Sequence, residues 1–173
     1  MYEILSLFFE AKRCMAQSML KTWSLIMMTV FFSVSLGSGC VAGAVKQETE
    51  LDLSDTGLTN IPNFVLTQTE LLELDLSHNA LSGALPGEIR QLRELQVLDA
   101  SHNQMTGVPA EIGQLHELQR LDLSYNQLTG LPLELGNLQA LVFLDLRGND
   151  ISFQDLKLIQ SALTETEILF DEL

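Results

Sequence analysis

From Leu51 onward the chain repeats one arrangement of apolar and polar positions: LDLSDTGLTNIP, LLELDLSHNALSGALP, LQVLDASHNQMTGVP, LQRLDLSYNQLTGLP and LVFLDLRGNDIS. The anchor leucines Leu51, Leu74, Leu98, Leu121 and Leu144 stand 23, 24, 23 and 23 residues apart. Within a copy, leucines alternate with polar residues, as at Leu74 and Leu76 or Leu121 and Leu123. A period of two buries one face of a short strand and leaves the other in water. Strands one copy apart can then pair in parallel, so that each copy adds one strand to a common sheet. A Gly or Asn follows each strand turn, and then Pro62, Pro86, Pro109 or Pro132 opens a return segment. There the apolar residues recur every third place, as in Ile89, Leu92 and Leu95 or Ile112, Leu115 and Leu118. That spacing fits one helical or 3-10 turn lying on the convex side. The expected class is α/β: a curved horseshoe fragment with a parallel sheet on its concave face and short helical or 3-10 turns on its convex face.

The asparagines Asn79, Asn103, Asn126 and Asn149 follow the strands, where their amides can satisfy backbone groups as the chain turns inward. The first copy has Thr56 at that place, so its turn is expected to be less well pinned. The additional residue of the longest copy lies in Gly83-Ala84-Leu85 and predicts a small bulge there. A solenoid must also close its ends, because an open stack leaves leucines facing water. Residues 152–170 read as the C-terminal closure: Ser152 with Asp155 predicts a helix cap, FQDLKLIQSAL a longer amphipathic helix, and Ile168, Leu169 and Phe170 a last strand. At the other end the first copy is the expected place for fraying, dimerisation or membrane proximity.

Fixed-period copies of L-x-x-L-x-L-x-x-N-x-L mark a leucine-rich-repeat solenoid. The segments of the form L-T-x-L-P-x-E-I-G-x-L-x-x-L-x-x-L-D-L-S-x-N resemble the 23-residue class of leucine-rich-repeat proteins, found in bacterial surface proteins and in many eukaryotic signalling scaffolds. The resemblance covers residues 48–173, and Leu81-Ser82-Gly83-Ala84-Leu85-Pro86 echoes the plant-type form of the loop. It implies a concave sheet that binds a protein or peptide, and it implies no reaction.

The 129 residues from Val45 to Leu173 form the expected repeat domain, and the segment before it has another character. Residues 25–36, LIMMTVFFSVSL, carry no charge, follow Lys21 and precede the small-residue run GSGCVAGA. That is the layout of a secretory signal over residues 19–44, with residues 1–18 an untranslated or disordered extension and Met15 or Met19 the simpler start. Ser38-Gly39-Cys40 resembles a bacterial lipobox and makes Cys40 the candidate lipidation site, although Leu36 stands one place too early. Ala42-Gly43-Ala44 offers instead a cut that releases a soluble chain at Val45, and an uncut stretch from Trp23 to Val45 would serve as an anchor. Secretion, with membrane tethering through the signal or a lipid, is the expected location. The alternatives are a cytoplasmic or membrane-anchored scaffold and a self-associating envelope protein.

Composition narrows the partner. A formal charge of -14 repels nucleic acid and anionic headgroups, so basic or neutral protein surfaces fit better. Neither Cys14 nor Cys40 lies among the repeats, so stability must come from stacking. No phosphate loop, nucleophile elbow or H-E-x-x-H is present, and the recurring serines and aspartates follow repeat register. No enzyme activity, cofactor or metal is expected, and nothing in the repeats sets the oligomeric state.

The partner-binding candidates lie on the concave strands. Asp52, Asp75, Asp99, Asp122 and Asp145 form a ladder about 4.8 Å apart, which is either an acidic strip for a basic peptide or cation, or a plain consequence of the repeat consensus. Positions that vary are more telling. Glu50, Glu73, Val97, Arg120 and Phe143 precede the second strand leucine, while Asp55, His78, His102, Tyr125 and Gly148 precede the asparagine place. Arg120, Phe143, Tyr125 and Arg147 are residue types that dominate binding hot spots, and His78 and His102 should be neighbours. Five strands span roughly 20 Å and offer on the order of 300–400 Å², which suits a peptide better than a standard interface of about 800 Å² per partner.

Overall fold

The structure is a computed structural model that describes residues 49–171. The expectations for residues 1–44, including the signal and lipidation at Cys40, lie outside the described residues.

Six parallel strands form one sheet, one from each of the five copies and a last one from the C-terminal closure, where the sequence predicted it. In chain order they are β1 (Glu50–Asp52), β2 (Glu73–Asp75), β4 (Val97–Asp99), β6 (Arg120–Asp122), β7 (Phe143–Asp145) and β8 (Glu167–Leu169). Their register aligns Leu51, Leu74, Leu98, Leu121, Leu144 and Ile168 in a single row. Each copy returns from Pro62, Pro86, Pro109 or Pro132, the residue preceding α1 (Asn63–Leu66) or the 3-10 turns Gly87–Gln91, Ala110–Gln114 and Leu133–Asn137. Proline suits this place because its φ is preset and the first turn needs no N–H from it. Between strands and turns lies a core of leucine and isoleucine. Leu76, Ile89, Leu92, Leu95, Leu98, Ile112, Leu115, Leu118, Leu121 and Leu123 are all completely buried. Each such side chain contributes about 1.5–3 kcal/mol relative to exposure.

The asparagines form the ladder that the repeat predicts. Asn103 Nδ2 donates to the carbonyls of Leu76, Ala100 and Ser101, and Asn126 Nδ2 to those of Ala100, Leu123 and Ser124. The Ala100 carbonyl thus joins two successive asparagines, as the Leu123 carbonyl joins Asn126 and Asn149. Their Oδ1 atoms accept the N–H groups of Leu81, Met105 and Leu128 one copy back.

Two local expectations change, at the Thr56 turn and the Ser152 cap, and the bulge expected at Gly83-Ala84-Leu85 is found within a further strand pairing. The Thr56 turn is tied down, because its hydroxyl donates to the Leu53 carbonyl at 2.7 Å and its N–H to Asn79 Oδ1 at 3.2 Å. An asparagine in the second copy therefore does the pinning that the first copy lacks. The longer loop forms a strand, β3 (Ser82–Ala84), which pairs in parallel with β5 (Gln104–Gly107) as a second, two-stranded sheet. Its register shifts between Gly83 and Ala84, passing over Thr106 on the opposite strand. At the C-terminus α2 (Phe153–Ala162) follows Ser152, but the Ser152 side chain makes no capping hydrogen bond. Asp155 instead reaches the Leu131 N–H of the preceding copy, at 3.4 Å.

Candidate functional site

Each three-residue strand turns its first and third side chains to the concave face, which makes two rows, and the turns that follow add a column beside them. The inner row is the aspartate ladder, and its carboxylates are engaged by the backbone. Oδ1 of Asp52, Asp75, Asp99 and Asp122 accepts the N–H of Ser54, Ser77, Ser101 and Ser124 at 2.9, 2.8, 2.9 and 3.0 Å. Asp145 accepts the N–H of Arg147 at 3.1 Å. The ladder sinks along the sheet, from exposed Asp52 through half-buried Asp75 and Asp99 to Asp122 and Asp145, which are 9% and 2% exposed. Each aspartate thus fixes the turn that follows its strand, which compensates for like charges standing opposite one another. Hydrogen bonds from the Ser54 hydroxyl and amide hold the Asp52 carboxyl below its usual range. Burial pushes Asp145 upward, but the hydrogen bonds and charge of Arg147 outweigh it and leave its carboxyl low. Arg147 Nε lies 3.0 and 3.1 Å from the two Asp145 oxygens, so this guanidinium is committed within the chain.

The outer row is freer. It runs Glu50, Glu73, Val97, Arg120, Phe143 and Glu167, each opposite its neighbour in the strand register. The guanidinium carbon of Arg120 sits 4.8 Å from the Phe143 ring centroid, a cation–π contact across two strands. Its ion pair with Asp122 is long, 3.9 Å, and its side chain is 54% exposed. Arg120–Asp122 and Arg147–Asp145 are the ion pairs among the described residues.

Beyond the strand ends lies a column that sequence reading only half anticipated. Asp55, His78, His102 and Tyr125 all have positive φ, from 52 to 54°, and Gly148 closes the series at 71°. The His78 and His102 rings stack at 4.3 Å and 9°, and His102 and Tyr125 at 4.4 Å and 12°. A Cβ on Gly148 would stand 2.7 Å from Tyr125 Cδ1, so glycine is required where the ring lies over the next turn. The signal was present in the alignment of Asp, His, His, Tyr and Gly at one repeat position. Asp and His tolerate left-handed backbone better than most residues, and Gly does so freely. His78 and His102 are neighbours as predicted, but among the described residues no group of three or more His, Cys, Asp or Glu side chains is placed to hold a metal ion.

The candidates therefore separate into two groups. Arg120, Tyr125, His78 and His102 are exposed and Phe143 is half-buried under the Arg120 guanidinium, whereas Asp75, Asp99 and Asp122 each accept a turn amide and Arg147 binds Asp145. Glu167 joins the outer row although its copy departs too far from the repeat pattern for sequence spacing to place it.

A parallel sheet of one-copy strands, convex 3-10 turns and an asparagine ladder define a repeat solenoid with an open concave face. Family models agree: leucine rich repeat matches residues 49–105, and a two-copy leucine rich repeat model matches 93–131 and 116–158. The chain belongs to the leucine-rich-repeat proteins. Its fold is similar to a leucine-rich-repeat protein of Leptospira interrogans, 36% identical, with a TM-score of 0.58 over 70% of this chain and 36% of that one. It is also similar to the leucine-rich-repeat ectodomain of the receptor kinase SOBIR1 from Arabidopsis thaliana, 31% identical, with a TM-score of 0.57 over 69% of this chain and 67% of that one. A third likeness is to the BIR3–SERK2 complex of Arabidopsis thaliana, 39% identical, with a TM-score of 0.55 over 59% of this chain and 56% of that one. Receptor-like protein 49 of Arabidopsis thaliana is 39% identical over 57 residues, 33% of this chain. The chain spans 7% of the length of such curated relatives.

Proposed function

We propose that this chain is a non-catalytic binding module, secreted or tethered at the cell surface, that takes a protein or peptide partner on its concave sheet and adjacent loops. The observation that carries the reading is the pair formed by exposed Arg120 and half-buried Phe143 in the outer row, with the exposed His78–His102–Tyr125 stack at the strand ends. Arg and aromatic side chains give a large contact area at small entropic cost and dominate interface energetics. The aspartates, which alone could have been promoted to acid–base work, are tied to turn amides. The likeness to chains solved as a receptor ectodomain and as a two-protein complex supports a recognition role outside the cell. Arg120→Glu combined with Phe143→Ala is expected to weaken the partner about thirtyfold, as loss of one hot spot does. The check is to compare what immobilised full-length wild type and variant retain from the medium and envelope of the producing cells, followed by Kd measurement on the retained protein. Equal affinity would move the site off this face.

The location is read from the N-terminal segment, with Cys40 as the proposed lipidation site. Intact mass of the protein from its native cells is expected to show a chain starting at acylated Cys40, in the membrane fraction. A soluble chain starting at Val45 would keep secretion and remove the lipid. An uncut N-terminus would overturn both and favour an anchored scaffold.

A further inference from the structure

The column beyond the strand ends repeats one step of backbone geometry. The N–H groups of Asp55, His78, His102 and Tyr125 donate to the carbonyls of Ser77, Ser101, Ser124 and Arg147 in the next copy, at 3.2, 3.1, 2.9 and 2.7 Å. All four residues hold φ between 52 and 54°. Every copy therefore launches its column side chain alike, and rings there fall face to face, His78 on His102 at 4.3 Å and His102 on Tyr125 at 4.4 Å. The two ends of this stack differ. Beyond Tyr125 the place is filled by the Gly148 turn, where even a Cβ would stand 2.7 Å from Tyr125 Cδ1. Beyond His78 the next step belongs to Asp55, which is exposed and carries no ring. A Cβ on Gly57, in that same turn, would meet nothing within 4 Å. One face of the exposed His78 imidazole is thus without a ring upon it, beside a carboxylate that no ion pair among the described residues engages.

Building on the concave-face reading above, we infer that this end of the stack receives an arginine side chain of the protein partner, its guanidinium flat on His78 and its N–H edge turned to the Asp55 carboxylate. The place suits a flat group, because the column stacks face to face. It suits a cation, because a carboxylate stands beside it in a chain of formal charge -14. It also suits N–H donors lying in the plane of the group, which an ammonium, being a compact point charge, does not offer. Guanidinium meets all three conditions. Both halves of the contact already occur within the chain. Arg120 lies over the Phe143 ring at 4.8 Å, and Arg147 Nε lies 3.0 and 3.1 Å from the two Asp145 oxygens. At the Asp55 place one side chain makes both.

The test titrates the full-length chain with capped tripeptides that carry arginine, lysine or citrulline between two glycines, following the histidine ring signals by NMR. Lysine keeps the charge without the plane, and citrulline keeps the plane without the charge. Arginine is expected to bind roughly threefold more tightly than either, the size of an exposed cation–π contact or ion pair. It should shift the His78 ring signals more than those of His102, which has a ring on each face. Asp55→Asn should bring arginine down to the level of citrulline, and His78→Asn to that of lysine; asparagine tolerates the left-handed backbone of both places. His78→Tyr should restore the preference, since Tyr125 already adopts this backbone in a later copy. Arginine bound no more tightly than lysine and citrulline, or a preference unchanged by Asp55→Asn and His78→Asn, overturns the inference. If that occurs while Arg120→Glu with Phe143→Ala still weakens the native partner, the concave face stands and only the arginine site falls. If the native partner is also indifferent to that double substitution, both readings fall.

Discussion

Gly113→Ala is expected to cost about 3 kcal/mol of stability, the upper part of the range for forcing atoms into a packed interior. Gly113 lies buried in the 3-10 turn Ala110–Gln114, against the next turn, Leu133–Asn137. A Cβ there would stand 2.3 Å from the Glu134 carbonyl oxygen and 2.9 Å from its carbonyl carbon. Both obstacles are backbone, so no rotamer change relieves them and two stacked copies must move apart. Gly87→Ala, one copy earlier, is the contrast. Its Cβ meets only the Glu111 carboxylate at 3.2 to 3.4 Å, the end of a side chain that can swing away. That variant is expected to stay within about 0.5 kcal/mol of the parent. Urea unfolding followed by circular dichroism measures both. Because solenoid copies touch only their neighbours, the Gly113 variant should also show a broadened transition as the two halves uncouple. A Gly113 variant with the parent's midpoint and slope would refute the packing argument.

Asn126→Ala is expected to cost about 3 kcal/mol, by another route. Its amide nitrogen donates to the carbonyls of Ala100, Leu123 and Ser124, and its oxygen accepts the Met105 N–H at 2.9 Å. Two of those carbonyls keep a bond after the substitution, Ala100 from Asn103 and Leu123 from Asn149, and Ser124 still accepts the His102 N–H. The Met105 N–H loses its side-chain acceptor in the interior, and a buried donor left unsatisfied costs about 1–3 kcal/mol. The small void and the lost carbonyl bonds supply the remainder. Asn126→Asp keeps an acceptor for Met105 but turns a carboxylate toward three carbonyl oxygens, so it should be no milder than alanine. Denaturant midpoints of the two variants decide the matter; a mild aspartate variant would mean that the donor side contributes little.

Much of this architecture can be read from residue order alone. Alternating leucines set the strands, the one-copy spacing of Leu51 to Leu144 sets their register, and the four prolines locate the return segments. What remained hidden depends on which residue of one copy meets which residue of the next. Asn79 pins the Thr56 turn from the following copy, and Asp155 leaves the cap position of its own helix to reach Leu131. The depth of Asp122 and Asp145 follows from the turns that fold over their carboxylates, which a pattern of alternating positions cannot express. The Arg120–Phe143 pair was legible as two residues at one repeat position, since register makes such positions neighbours. The left-handed column was legible only as an odd alignment of Asp, His, His, Tyr and Gly.

The asparagine ladder links each turn to the one before it and to no other: Asn103 to Leu76, Asn126 to Ala100 and Asn149 to Leu123. Every such tie has the length of a single copy. Whole copies can therefore enter or leave the middle of the stack without disturbing the helix and strand that seal its end. Gene duplication acting on units of that length would lengthen the concave sheet by about 4.8 Å per event.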